Sequence, residues 1–250
     1  MRYIKYAHFL SLDVVLGAGL FQIYLHLLIL KSWPSVAVMC ALASAVGLIY
    51  VLDRWLDNRL QTPEDDRHLF FNRNAILTRS MALFWLLTGL VSLIYLPFYL
   101  IQFSLVIGFF VLLYWWAWSQ SWFSQIQGLK EICTAFLYAM GIFAPIFAQM
   151  DGLSTSSFFC FLGLLFIAFQ NLYLFTRVDR FFKILELWTG LYLIFLAIYL
   201  QDFMRVVPFF VTFGIHVGLR VNGGEVRSRM LGEMAFFSPI LYLVYGIISK

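Results

Sequence analysis

The residues with the most chemistry in this chain stand in one stretch, Ile49 to Asn74, IYVLDRWLDNRLQTPEDDRHLFFNRN. Asp53, Asp57, Glu64, Asp65 and Asp66 lie there among Arg54, Arg59, Arg67 and Arg73, in a sequence that is only 12% charged. The apolar run before Asp53 reads as a helix. If it continues through Asp57, the two carboxylates share one face and lie about 6 Å apart. Carboxylates so placed can share a divalent cation. A second mixed cluster, VDRFFKILE, sets Asp179 and Glu186 beside Arg180 and Lys183, just after Arg177. Lys130 and Glu131 open another apolar run between the two.

The elements that must position these groups follow from composition. With 62% hydrophobic residues and a mean hydropathy of +0.86, the chain has more apolar surface than a water-soluble core can hide. It reads as an all-α integral membrane protein. Apolar segments of spanning length run Ala7 to Leu30, Trp33 to Leu52, Ser80 to Leu96, Leu100 to Trp118, Ile132 to Gln149, Leu153 to Phe175, Ile184 to Leu200, Phe203 to Leu219 and Leu231 to Ser249. Each is close to the ~17 to 25 residues a helix needs to cross the hydrocarbon core. The expectation is nine transmembrane helices in a single bundle over residues 1–250, with a tight hairpin at Pro97, Phe98 and Tyr99 and no soluble appendage. Asp13 and the length of the first segment favour a retained helix over a signal peptide. Cys40, Cys133 and Cys160 fall in apolar segments without a CxxC spacing, so no disulfide framework is expected.

Nine crossings put the N-terminus on the same side as the connectors after helices 2, 4, 6 and 8. Every Lys and Arg except Lys31, Arg205 and Lys250 then falls on that side, which by the positive-inside rule is cytoplasmic. A bacterial inner membrane is the expected location. Among the carboxylates only Asp151 and Asp202 belong to the opposite face. Any chemistry faces the cytoplasm.

Several residues outside the clusters stand out. Asp13 lies about six residues into the first helix, hence ~9 Å below its end, where a charge is costly and typically faces the bundle interior. At that depth it reaches the cavity of Asp53. Asn171, two turns before Asp179, points into the same cavity or makes an interhelical hydrogen bond. The tail RHLFFNRN suits an interfacial segment or lid. Trp115, Trp116 and Trp118 suit an interfacial anchor. His216 and Arg220 read as structural or interfacial.

Helix count and loop placement resemble the UbiA-type intramembrane prenyltransferases. In that family aspartate-rich motifs follow helices 2 and 6, and Mg²⁺ there holds the diphosphate of a polyprenyl donor. The first motif resembles N-D-x-x-D-x-x-x-D, with its last two aspartates at Asp53 and Asp57. Its leading Asn-Asp pair would fall on Ile49 and Tyr50 and is absent. In the second motif only Asp179 matches, and Phe181, Phe182 and Lys183 stand where further acids are expected. Lys130 with Glu131, and RSRMLGEMAFFSPIL with Arg229 and Glu233, look like sequences of divergent branches.

The resemblance implies Mg²⁺-dependent transfer of a polyprenyl group from its diphosphate to an unidentified acceptor. Asp53, Asp57 and Asp179 would bind the metal and be catalytic. Arg54, Lys130, Arg177, Arg180 and Lys183 would neutralise the departing diphosphate, and Tyr50 and Tyr138 would face the allylic cation. Asp13 and Asn171 would complete the substrate contacts. The expected partners are the donor, the acceptor and the bilayer, with no nucleic acid; oligomeric state is left open. Two other classes remain: a non-catalytic relative that binds lipid or serves in assembly, and a secondary transporter. A transporter sits less well with charges at one face and no internal repeat.

Overall fold

The computed structural model describes residues 2–60, 66–118, 120, 126, 128–149, 154–174, 179–221 and 225–248. Side chains are described for all of these except 2–5, 57–60, 66–68, 179–181, 221 and 225–228. The fold is all-α: α1 (Arg2–Phe9), α2 (Leu12–Ile29), α3 (Val36–Leu60), α4 (Asp66–Arg73), α5 (Ala75–Tyr95), α6 (Phe98–Trp118), α7 (Leu129–Gln149), α8 (Thr155–Tyr173), α9 (Asp179–Leu200), α10 (Val207–Val221), α11 (Glu225–Met234) and α12 (Pro239–Ile248). Short 3-10 turns, Phe203–Arg205 and Ala235–Phe237, precede α10 and α12. Among the described residues eight helices are long and apolar enough to cross a membrane, and Val207–Arg220 forms a shorter apolar helix. The last span, Arg229–Ile248, is assembled from the end of α11, the 3-10 turn and α12.

The first apolar segment is not one continuous helix. Ser11 adopts a left-handed backbone (φ 57°), which ends α1 and starts α2. Asp13 therefore sits in the first turn of α2, where its Oδ1 accepts the Val14 N–H at 3.0 Å, and not at depth within a span. A carboxylate there meets the positive end of the helix dipole. The tail of the long connector forms α4, whose Phe70 and Phe71 are buried. Phe70 lies against Tyr6 and Phe9 of α1, with ring centroids 5.5 and 5.2 Å apart. The lid expected there is in this respect a clamp on α1.

Helix α3 runs past Leu52 to Leu60, so Asp53 and Asp57 do stand four residues apart on one helix. The α5–α6 connector is as short as expected, but the two helices do not form a packed hairpin. Instead α5 packs along α3 and α6 along α7. A single apolar core joins most of the spans. Its aromatic centre is Phe21 and Tyr24 of α2 with Phe209 of α10, Phe236 and Tyr242. The Tyr24 hydroxyl donates to the Arg205 carbonyl and ties this core to the turn before α10.

The last span bends because Pro239 has no N–H for the carbonyl four residues back. That carbonyl, of Ala235, accepts the Ser238 N–H at 3.1 Å and lies 3.1 Å from Thr212 Oγ1. In hydrocarbon such a freed group must find a partner within the protein. Gly17 of α2 allows the bend to approach closely: a methyl group at Gly17 would lie 2.8 Å from Phe236 Cβ. Gly17→Val is expected to lower the thermal midpoint of detergent-purified protein, by overpacking worth about 1 to 3 kcal/mol. Gly19→Ala, where nothing lies within 4 Å, is expected to leave the midpoint unchanged or slightly raised.

Candidate functional site

A cavity of about 310 Å³ opens between α2, α3, α6, α7, α8 and the α11 bend. Helix geometry grades its wall. Asp53 and Arg54 near the end of α3, Lys130 and Glu131 in the first turn of α7, Asn171 near the end of α8, and Arg229 and Glu233 of α11 line one end. Leu42 and Val46 of α3, Ile107 and Val111 of α6 and Gly141 of α7 line the rest. Asp53 to Leu42 is eleven residues of helix, about 16 Å. The result is an apolar slot with a head of mixed charge, the shape of a site for an amphipathic ligand. Tyr50, Tyr138 and Phe236 add aromatic wall, with Tyr138 edge-on to Phe236 at 5.7 Å.

Two details bear on how the head is held. The Lys130 ammonium sits 4.7 Å over the Trp118 ring, so one of the tryptophans expected as an anchor positions a cavity cation. Asn171 is 8% exposed, and its Oδ1 has no hydrogen-bond partner among the described residues. The adjacent Gln170 is fully buried with both amide atoms unpartnered among the same residues. A buried acceptor without a partner is a place for an ordered water.

Next to this head lies a cluster that the sequence reading did not assemble. His8 Nδ1 is 2.6 Å from Asp13 Oδ2 and 3.1 Å from Glu233 Oε2, and all three residues are buried. They come from α1, α2 and α11. One potential ligand atom from each lies within 4.8 Å of the others, so the three could hold a metal ion. Glu233 belongs both to this cluster and to the cavity wall. Asp13 does not line the cavity itself. Its connection to it runs through His8 and Glu233.

Of the other expected site residues, Tyr50, Asp53, Arg54, Lys130 and Asn171 all stand on the wall of the one cavity. The side chains of Asp57, Asp179 and Arg180, and the whole of Arg177, lie outside the described residues. Lys183 is exposed and does not line the cavity, whereas Glu186 pairs at 3.0 Å with Arg220, which also covers the Phe182 ring. His216 is fully buried and its Nε2 lies 3.2 Å from the Gly232 carbonyl, a structural contact next to Glu233. His8 had no signal in the sequence beyond a histidine inside an apolar run. Five residues separate it from Asp13, and only the left-handed turn at Ser11 brings the two together.

No family model, curated protein or solved structure matches the chain. Its class rests on the fold and the site: an all-α, multi-pass integral membrane protein with a buried His/Asp/Glu cluster beside a polar-headed apolar cavity. His8→Ala would leave two buried carboxylates without the imidazole. Removing a hydrogen bond to a charged group costs about 1.5 to 3 kcal/mol. A correspondingly large fall in the thermal midpoint is expected, and an unchanged midpoint would show that the three side chains are not coupled.

Proposed function

We propose that the protein is a divergent UbiA-type intramembrane prenyltransferase, which moves a polyprenyl group from its diphosphate to an acceptor at the cytoplasmic face. The observation that carries this reading is the grading of the cavity. Arg54, Lys130 and Arg229 gather at one end, and an apolar slot continues from there between α3, α6 and α7. A prenyl diphosphate has the same two parts, a compact anionic head and a long hydrocarbon tail.

The donor set at the head suits Mg²⁺. Asp53 and Glu131 offer oxygens only, and Mg²⁺ commonly takes one or two carboxylates together with substrate phosphates and water. Asp53 would hold it, with Asp57 and Asp179 as the expected further ligands. When bound, the ion neutralises diphosphate charge. The side chains do the rest. Arg54, Lys130 and Arg229 orient the head and stabilise the negative charge that grows on the leaving diphosphate as the carbon–oxygen bond lengthens. Tyr50, Tyr138 and Phe236 offer ring faces to the allylic carbon as it becomes positive, worth about 0.5 to 2 kcal/mol each when desolvated. The apolar wall excludes water, which would otherwise capture that carbon in place of the acceptor.

Thermal stability with geranylgeranyl diphosphate tests the donor site. At 100 times its dissociation constant the ligand adds about 2.7 kcal/mol to the native state. The expected result is an upward shift that needs both the diphosphate and Mg²⁺ and is abolished by chelator. No shift with donors of several chain lengths, in folded protein, would favour the non-catalytic lipid-binding relative. Asp57→Ala is expected to abolish prenyl transfer while leaving the protein folded in detergent, and retained turnover would remove Asp57 from the metal site. Lys130→Ala is expected to weaken diphosphate binding by about 10- to 100-fold, the loss of one charge-assisted contact of ~1.5 to 3 kcal/mol, read by titration calorimetry.

A further inference from the structure

The cluster of His8, Asp13 and Glu233 lies beside the cavity but differs from it in donor chemistry. We propose that these three side chains form a separate site for one first-row divalent transition ion, such as Zn²⁺ or Mn²⁺, which fixes Glu233 at the cavity wall. This inference does not depend on prenyl transfer.

The ligand set argues for it first. An imidazole nitrogen with two carboxylates is a mixed donor set. Imidazole suits Zn²⁺ and its neighbours, carboxylates suit harder ions such as Mn²⁺, and Mg²⁺ prefers oxygen alone. The geometry argues for it next. A single ring nitrogen, His8 Nδ1, confronts a carboxylate oxygen on each of two residues, at 2.6 and 3.1 Å. One potential ligand atom from each of the three lies within 4.8 Å of the others, close enough for one cation to touch all three. Metal–ligand distances of about 2.0 to 2.2 Å would require the ring nitrogen to part from each carboxylate oxygen by less than about 1 Å, a movement that side-chain rotation supplies.

Placement gives the site its consequence. The ligands come from α1, α2 and α11, so a bound ion would join the first two helices to the last span. Glu233 is the shared element, ligand on one side and cavity wall on the other. Occupancy would decide whether its carboxylate is held in the cluster or free to turn toward the polar head.

The test uses full-length, tag-free protein in detergent, stripped by chelator, reloaded with Zn²⁺ or Mn²⁺, and analysed for metal by mass spectrometry. One ion per chain is expected in wild type and equally in Asp53→Asn, with affinity reduced more than about 10-fold in His8→Gln. Zn²⁺ should raise the melting temperature of wild type and not that of His8→Gln. Should that variant fail to fold, Co²⁺ titration of wild type serves instead, and visible d–d absorption at one equivalent is expected. Absence of stoichiometric Zn²⁺, Mn²⁺ and Co²⁺ binding by folded wild type would overturn the proposal. Loss of the ion in Asp53→Asn would also overturn it, by moving the metal into the cavity. Failure of diphosphate to bind, with metal retained, would count against the prenyltransferase reading alone.

Discussion

The close approach of α2 to the bend in the last span is the contact on which the site depends. Gly17 provides it by having no side chain where Phe236 Cβ comes near. Asp13 is one turn before Gly17, and Glu233 is three residues before Phe236, so the contact sets how near the two carboxylates come. Pro239 forces the bend and frees the Ala235 carbonyl, which accepts from Thr212 Oγ1 at 3.1 Å, while Ser238 Oγ ties the bend to the Pro208 carbonyl of α10 at 2.7 Å. Sequence-distant backbone geometry and a buried polar network thus converge on two acidic side chains.

The same economy governs charge. A buried ionised group is expensive unless neutralised, and the described charges are arranged accordingly. Glu186 is answered by Arg220 at 3.0 Å, and the His8 ring meets both Asp13 and Glu233. Around the cavity head α3, α7 and α11 each bring one acid and one base. That head is a concave surface where several charges meet apolar wall, a shape that suits an amphipathic ligand. Away from it, the Glu186–Arg220 pair joins α9 to α10.

Much of this architecture was legible in the chain. Hydropathy marks the spans because a bilayer demands about twenty apolar residues in a helix that satisfies its own backbone, and the run from Trp33 carries Asp53 on its helical continuation. Asp53, Arg54, Lys130 and Asn171 could be picked out because polar residues at the ends of apolar runs are few. Less legible were the helix contacts. A two-residue connector between α5 and α6 suggests a hairpin, yet each helix is drawn to another neighbour by packing that connector length does not encode.

Composition and periodicity by themselves determined that the protein is a multi-pass helical membrane protein with its charge gathered near helix ends. Both are properties of one segment at a time, set by its transfer into hydrocarbon. Tertiary structure alone decided that six helices share a single polar-headed cavity, that Asp13 opens a helix rather than lying deep in one, and that His8 joins Asp13 and Glu233. These depend on a left-handed residue at Ser11, a proline bend and a glycine contact. Their effect is to bring together side chains up to 225 positions apart, and no local pattern records a distance across the bundle.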